Sequence, residues 1–306
     1  MKKLTEGRKM FLSVMTIFVI YATIFILFQD FDKTHFEPFE ETSGWHMLLF
    51  SIVVMALLAY LLHRYSQRMD QRISREQADK ENQMRRELTQ NIAHELKTPV
   101  ASIKGYAETI LEHPEISAET RHQFVERTLS QATRLTSLLE DISTLNRMDY
   151  ADSMIAFEPM DVVPIVDDVV KETAQALEGK QMTMCNNLPQ ELVVQGNPSL
   201  IYSIFRNLVD NAINYAGEGT TITIDAREEK KQWAFMFADN GVGISQEHLT
   251  RIFERFYRVD KGRSRSLGGT GLGLAIVKNA VILHGGNIKA QNADGGGLRF
   301  DFTLNK

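Results

Sequence analysis

The residues best suited to chemistry lie in one short stretch, Asn91-Ile-Ala-His-Glu-Leu-Lys-Thr-Pro99. Apolar residues recur there at helical spacing, and His94 lies two positions past Ile92, roughly 200° around the helix, so its ring points away from the apolar face. Most histidines on a polar helix face are simply solvated. Here Glu95 follows directly and could orient the imidazole and take its proton, while Pro99 cannot donate a hydrogen bond to the Glu95 carbonyl, which weakens the helix one turn beyond. The stretch therefore predicts an exposed, nucleophilic imidazole.

Three elements in the second half of the chain could form a nucleotide site. Asn207 and Asn211 are four apart on a predicted helix, so their amide oxygens share one face and suit Mg²⁺, which prefers hard oxygen ligands. The run Asp239-Asn-Gly241-Val-Gly243 ends an apolar strand, where the carboxylate could accept from an adenine amino group. The run Gly268-Gly-Thr-Gly271-Leu-Gly273 leads into a helix N-terminus, which favours anions. Each element alone is weak, and an ordinary turn would explain the second.

Two other nucleotide motifs compete for the glycine run. A dinucleotide-binding run follows the first strand of a βαβ unit, with an acidic residue on the next strand. Here the run comes late and follows the charged stretch 258–267, so the context disfavours that motif. A Walker A loop is absent from the sequence, because no Gly-Lys-Ser/Thr ends the run.

Composition bounds the class of protein. The chain has 306 residues, of which 43% are hydrophobic and 24% charged, which suits two polar modules with an additional apolar part. The net charge of −5 gives no global basic surface, so a nucleic-acid partner is not expected. The single cysteine, Cys185, excludes an intrachain disulfide and is expected to be buried in a strand.

Two uncharged apolar runs near the N-terminus, 10–28 and 46–62, approach the length of about 20 residues that a membrane-spanning helix needs. A cleaved signal peptide is the alternative for the first, disfavoured because no small-residue cleavage site follows it. Basic residues flank the two runs on their outer sides, whereas the loop 29–45 between them is acidic. The positive-inside rule then predicts a multi-pass protein of the cell inner (cytoplasmic) membrane with both termini, including residues 1–9, in the cytoplasm.

The next segments favour a helical hairpin. The polar stretch 63–84 is predicted to be a helical linker that continues without a break into a helical hairpin, 85–150. A proline-containing turn at 112–115 precedes a second helix, 117–148, whose apolar residues alternate three and four apart. Two helices cannot bury both apolar stripes alone, so a homodimer forming a four-helix bundle is predicted.

From residue 158 to 306 the pattern becomes mixed, which predicts a domain that is an α/β two-layer sandwich. The predicted helices are 162–178, 198–215, 246–253 and 271–284, and the predicted strands are 182–186, 191–194, 221–228, 233–239, 288–292 and 298–304. The fold class is therefore multi-domain, with two transmembrane helices, a helical hairpin and an α/β sandwich.

Taken in order, these elements resemble the ATP-binding fold shared by sensor histidine kinases, type II topoisomerases, a heat-shock chaperone and mismatch-repair ATPases. The upstream histidine on a hairpin narrows the resemblance, over residues 85–306, to membrane-bound two-component sensor histidine kinases. Five motifs follow in the order of that family: the histidine box 94–99, the asparagine box 207–215, the first glycine box 239–243, the phenylalanine box 253–256 and the second glycine box 269–273.

The resemblance implies ATP-dependent autophosphorylation of His94, followed by phosphoryl transfer to an aspartate of a cytoplasmic response regulator, with ATP and Mg²⁺ bound. Glu95 would orient the imidazole and act as base. Asn211 would be the main Mg²⁺ ligand with Asn207 nearby, and Asp239 would recognise adenine. The rest of the implied ATP site comprises Tyr215, Gly241, Gly243, Phe253, Phe256, Arg258, Gly269, Thr270, Gly271, Leu272 and Gly273.

One departure from the family concerns the asparagine box. The family often has lysine just before the tyrosine, and this chain has Asn214. A neutral amide cannot replace the charge that lysine would place on the triphosphate. The basic residues of the stretch that follows the phenylalanine box could compensate: Arg258, Lys261, Arg263 and Arg265.

A second activity is implied by the same helix. Residues 95–98 match the Glu-x-x-Thr pattern associated with phosphatase activity toward the response regulator, and Thr98 would position a water against its phosphoaspartate. Thr98 is also explained as a polar surface residue before a proline. Two further alternatives stay open: a membrane-tethered ATPase or interaction module of the same superfamily without phosphohistidine, and a sensor that acts mainly as a phosphatase.

The input is expected within or beside the membrane. The loop 29–45 is too short to fold alone, and the linker 63–84 is too brief for a separate sensory module. The bilayer itself and a membrane partner protein are the candidate sources of the stimulus. The remaining histidines lack the setting of His94 and are expected to be solvated or structural.

Overall fold

The computed structural model describes residues 16, 19, 23, 26, 41–149, 155–259 and 269–306. The chain divides into two compact units, Met1–Glu87 and Leu88–Lys306.

In the first unit, residues 16, 19, 23 and 26 are helical, and helix α1 (Glu41–Glu112) begins. Within the described residues, no helix has the length and apolar character needed to cross a bilayer. The predicted second span, 46–62, lies in α1 and is not confirmed. The segment 1–9, most of the predicted span 10–28 and most of the loop 29–45 lie outside the described residues.

The second unit opens with the helical hairpin. Helix α1 is helical throughout 63–84 and up to Glu112, and α2 (Ala118–Asp149) follows a short turn, as predicted. The Ser117 hydroxyl accepts from the Thr120 amide (3.1 Å) and so caps the start of α2. Pro99 lies buried inside α1 without interrupting it. The helix therefore tolerates the missing donor, because neighbouring turns and packing hold it.

In the residues that the structure describes, the α/β domain contains two sheets and three main helices. Its elements are β1 (Glu158–Asp161), α3 (Val163–Gly179), β2 (Thr183–Asn186), β3 (Val193–Gly196), α4 (Pro198–Tyr215), β4 (Thr221–Glu228), β5 (Gln232–Asp239), a 3₁₀ turn (Gln246–His248), α5 (Gly273–Leu283), β6 (Ile288–Asn292) and β7 (Leu298–Asn305). Strands β1 and β3 pair antiparallel, and the larger sheet has the order β2-β4-β5-β7-β6, in which only the β2–β4 pair is parallel.

Helices and the larger sheet form two layers around an aromatic core. Phe205 of α4 meets Phe235 of β5 and Phe302 of β7 with ring centroids 5.8 and 6.0 Å apart. Phe235 and Phe302 stack on neighbouring strands at 4.9 Å. Every second residue of β7 is buried, which is the period expected of a strand with one covered face. The predicted two-layer sandwich is confirmed.

Two expectations for the α/β domain were wrong, and one strand was missed. The predicted helix 246–253 is only a 3₁₀ turn, since the chain bends afterwards and packs Phe253 edge-on against Phe300 (6.2 Å), so packing overrides periodicity. Strand β1 had no alternating pattern and was not predicted. Cys185 is exposed, because it lies on β2 at the edge of the sheet, where Met184 is the residue packed against the core.

Candidate active site

A cavity of about 450 Å³ lies where α4, the glycine loop before α5 and hairpin helix α2 meet. Its volume falls in the range of small-ligand sites, about 300–1,000 Å³. Many of the site residues expected from the sequence line it: Asn207, Asn211, Tyr215, Arg258, Gly269, Thr270, Gly271 and Gly273. Asn214, the departure from the family pattern, also lines it.

Helix α4 presents its polar face to this cavity. Asn197 caps the helix by accepting from the Leu200 amide (3.2 Å), and the opposite face is fully buried around Phe205. The Asn207 side-chain nitrogen donates to the Ser203 carbonyl (2.8 Å), which turns its oxygen away from the helix. The amide oxygens of this face are hard ligands, so the donor set fits Mg²⁺ completed by waters and phosphate oxygens.

The Asn207 oxygen faces the glycine loop, since a Cβ placed on Gly273 would lie 2.5 Å from it. Gly273 is also where α5 begins, so free backbone amides and the positive end of the helix dipole lie beside the cavity. Together they provide a place for anionic oxygens next to amide ligands for a cation.

Asp239 holds the loop after β5. Its Oδ1 accepts from the Gly241 amide (3.0 Å) and the Leu298 amide (3.2 Å), and burial raises the pKa of this carboxyl above its usual value. Gly241 allows the backbone to pass Ala216, whose carbonyl oxygen a Cβ would overlap, and Gly243 has φ +65°. These residues are not part of the cavity wall, but Leu298, which binds Asp239, is.

The phenylalanine box and the second glycine box meet at their ends. The Phe256 amide donates to the Gly271 carbonyl (2.8 Å), and both residues have positive φ, 63° and 74°. Leu272 is fully buried, and Phe253 packs on the core. Phe253, Phe256 and Leu272 therefore pack against the core of the domain, where the two boxes meet, and do not line the cavity.

The phosphoacceptor candidate is exposed, as predicted, with 66% of the His94 side chain accessible. Its Nδ1 lies 3.7 Å from Glu95 Oε1, whereas Glu95 Oε2 lies 3.4 Å from Arg134 Nη2 and 3.9 Å from Arg258 Nη1. Glu95 thus contacts both the histidine and an arginine of the cavity wall. The Thr98 hydroxyl donates to the His94 carbonyl (3.3 Å), and His94 itself does not line the cavity.

Several residues of the cavity were not foreseen. Ser137 and Asp141 reach it from α2, and no pattern in that helix distinguishes them from other surface residues. Tyr257 lines the cavity and is held by His248 Nδ1, 2.6 Å from its hydroxyl. Leu298 could have been suspected, because it follows three glycines, of which Gly297 has φ +92° and passes the Asp239 carbonyl too closely for any Cβ.

The fold and the cavity define a nucleotide-binding α/β domain joined to a hairpin with an exposed histidine. Residues 196–306 match the family model described as histidine kinase-, DNA gyrase B- and HSP90-like ATPase, and residues 84–151 match the His kinase A phospho-acceptor domain. The chain belongs to the histidine kinase family.

Individual relatives agree with this assignment. The sensor-like histidine kinase SenX3 of Mycolicibacterium smegmatis is 34% identical over 220 residues, which cover 72% of this chain and 57% of that protein. The histidine kinase AdeS of Acinetobacter baumannii superposes with a TM-score of 0.58 at 25% identity, covering 69% of this chain and 97% of AdeS. Histidine kinase ThkA, solved with its response regulator TrrA, shares the fold (TM-score 0.58, 22% identity, 72% and 61% covered).

Proposed function

We propose that this protein is a sensor histidine kinase that phosphorylates His94 with ATP and passes the phosphoryl group to an aspartate of a response regulator. One observation carries the proposal: Glu95, beside the exposed histidine, contacts Arg258, a residue of the cavity that would hold ATP. A single side chain, Glu95, thus connects the exposed nucleophile to a cavity of nucleotide size.

In the proposed reaction a ring nitrogen of His94 attacks the γ-phosphorus of ATP, the bond to the β,γ-bridging oxygen breaks, and ADP leaves with the electron pair. Glu95 orients the imidazole and takes the proton that the ring nitrogen releases. Its contacts with Arg134 and Arg258 must loosen first, and the cavity must move toward His94, which lies outside its wall.

We assign to each site residue the role that its place in the family motifs implies, although Asp239, Gly241 and Gly243 lie outside the cavity wall. Asn211 and Asn207 hold Mg²⁺, which would neutralise charge on the phosphate oxygens. Asp239 accepts from the adenine amino group, and Tyr215, 39% exposed, lies along the base. Arg258 contacts a phosphate. The glycines 241, 243, 269, 271 and 273 give the backbone close approach, and Thr270 adds a hydroxyl donor.

A phosphatase activity is the second proposal. Thr98 lies one turn past His94 and one residue before a buried proline, so its backbone position is well fixed. Its hydroxyl proton goes to the His94 carbonyl in this arrangement, so an ordered water would be held through its lone pairs. Loss of phosphatase but not autokinase activity in Thr98→Ala would support this role.

The homodimer, the membrane location and the partner are also proposals. Large apolar side chains of the hairpin remain half exposed or more, including Val125, Leu129 and Leu139, which suits a second copy packing against them. The apolar runs 10–28 and 46–62 support a location in the inner membrane with both termini cytoplasmic. The kinase–regulator complex of ThkA supports a response regulator as partner.

The decisive experiment uses ATP labelled at the γ-phosphate and the full-length chain. We expect label that is lost in acid and stable in alkali, absent in His94→Ala and retained in His122→Ala, a matched control because His122 is an exposed hairpin histidine without a role in the proposal. If the wild type hydrolyses ATP but acquires no label on the protein, the alternative is favoured, an ATPase without phosphohistidine.

The departure at Asn214 can be tested separately. Because Asn214 lines the cavity, Asn214→Lys should tighten ATP binding and raise autophosphorylation if the missing charge limits the kinase. An unchanged affinity would remove the reason for treating the protein as mainly a phosphatase.

A further inference from the structure

The nucleotide cavity has an acidic side chain that comes from outside the nucleotide-binding domain. Asp141 lies on hairpin helix α2 and lines the cavity together with the glycine loop. Its Oδ2 accepts a hydrogen bond from the Thr270 hydroxyl at 2.7 Å. The same hydroxyl oxygen accepts from the Leu272 amide (3.2 Å), so Thr270 is fixed between the hairpin and the start of α5.

This contact occupies the part of the cavity best suited to phosphate. Thr270 lies between two glycines and just before the N-terminus of α5, where amides and the helix dipole favour anions. Thr270 has one hydroxyl proton, which cannot be donated to Asp141 and to a phosphate oxygen at the same time. A nucleotide phosphate and the Asp141 carboxylate would therefore compete for one donor.

The negative charge of the Asp141 carboxylate also opposes the binding of a triphosphate. Asp210 also lines the cavity, but Arg206 pairs with it at 2.9 Å. Among the residues that the structure describes, no basic side chain forms an ion pair with Asp141. Burial raises the pKa of Asp141 to about 6, which still leaves the group mainly ionised at neutral pH. A triphosphate would be repelled by this charge.

We propose that Asp141 is a gate residue that competes with the phosphates of a nucleoside triphosphate for Thr270, so that the hairpin contact and triphosphate binding exclude each other. The proposal rests on the proposed ATP site and goes beyond it, because it assigns a hairpin residue to the control of nucleotide affinity. Triphosphate binding would release α2 from the glycine loop and free the domain to move toward His94.

The test compares Asp141→Asn with the wild type in the full-length chain, purified in detergent, by calorimetric titration with ATP, ADP and adenosine. Asparagine keeps the shape and a weaker acceptor but removes the charge. We expect the Kd for ATP to fall about tenfold, the Kd for ADP to fall less, and the Kd for adenosine to stay the same. Glu126→Gln is the matched control, because Glu126 is an exposed acid on the same helix and is not among the charges that act on Asp141, and it should leave the affinity for ATP unchanged.

Asp141→Ala provides a second variant that also removes the acceptor, and it should tighten ATP binding at least as much. Unchanged ATP affinity in both variants would overturn the gate while leaving the proposed kinase intact. Weaker ATP binding would also overturn it, since Asp141 would then assist the cation–nucleotide complex. Tighter adenosine binding would indicate general opening of the cavity and contradict the competition for phosphate. A wild type that binds no ATP would overturn the proposed function and the gate together.

Discussion

The hairpin and the α/β domain differ in how much of their apolar side chains is exposed to solvent. In the α/β domain many large side chains exclude solvent completely, such as Ile204 and Phe205 at 0% exposure. Among the described hairpin residues, the buried large apolar side chains are Leu138, Leu145 and Met148, and these belong to the same core as the α/β domain. The α/β domain therefore carries its own core, whereas the hairpin depends on contacts with other surfaces.

The largest expected effect tests the self-contained core. Phe205→Ala removes a ring that contacts Phe235 and Phe302 across the two layers, and we expect a loss of about 3–5 kcal/mol in the free energy of unfolding of the α/β domain. Denaturant unfolding followed by tryptophan fluorescence measures it, since Trp233 lies in β5. Ile282→Ala is the control, because Ile282 is 52% exposed and should cost little. Equal losses in both variants would contradict the comparison.

The next effect tests the hairpin's dependence on a second copy. Leu129 is 67% exposed although its spacing marks it as a seam residue. In a four-helix bundle Leu129→Glu would place a charge in each copy of an apolar interface, so we expect a monomer in sedimentation at micromolar concentrations where the wild type is a dimer. The exposed neighbour Glu126→Gln should leave the dimer unchanged. A persistent dimer in Leu129→Glu would show that this seam is not the interface.

Sequence patterns predicted these two regions unequally. Periodicity identified the hairpin and most strands, because local spacing determines which face of an element is apolar. Residue type and spacing identified Asn207, Asn211 and the glycine loop, because two amides on one helix face and a run of glycines before a helix are typical of ligand sites. Asp141 could not be predicted, since its importance comes from a contact with Thr270, 129 positions away along the chain. Phe256 was predicted to be part of the ATP site. In the structure it does not line the cavity, and its positive φ marks a tight turn of the backbone.

A smaller effect concerns pH, and the two regions should respond with opposite signs. In the α/β domain, buried His284 accepts from the Asn197 amide through Nε2 (3.1 Å), and burial lowers the pKa of His284. The neutral form is favoured in the folded domain, so its contribution to stability is complete above pH 6.5 and is lost as pH falls through the lower folded pKa. We expect the denaturant midpoint of the domain to fall between pH 7 and 5. A flat profile would contradict a buried neutral imidazole.

For the hairpin contact the sign is reversed. Burial between Thr270 and the cavity, together with the nearby charges of Glu140 and Asp210, raises the pKa of Asp141 to about 6 from 3.8. Its contribution to docking is therefore complete below pH 3.8 and is lost as pH rises through about 6. Acidification from pH 7 to 5 should increase the docked fraction, and Asp141→Asn should remove this dependence.

Spin labels report the docked fraction as a distance between the hairpin and the domain. Positions 122 and 289 are exposed, and the native Cys185, also exposed, has to be replaced by serine first. The measurement at pH 5 requires a parallel check that the domain remains folded, because protonation of buried His284 destabilises the domain at low pH. A docked fraction that falls on acidification would contradict the sign derived for Asp141.

The smallest effect is expected at the ion pair between the two regions. Arg255 binds Asp149 with two hydrogen bonds, 2.7 and 3.0 Å, but the side chains remain 30% and 39% exposed. Exposed pairs contribute about 0–1 kcal/mol, so Arg255→Ala should lower the docking equilibrium by no more than about fivefold. The same spin-label distance measures the change, and added salt should weaken the wild-type contact but not that of the variant.

The size of that change decides what kind of contact joins hairpin and domain. Leu145 and Met148 are buried and lie just before Asp149 in α2, so Leu145→Ala should reduce docking more than Arg255→Ala does. If removing the arginine instead abolishes docking, the contact is mainly electrostatic, and the hairpin's buried residues do not hold the domain. The hairpin would then depend on apolar contacts only at the dimer seam, and not at its contact with the α/β domain.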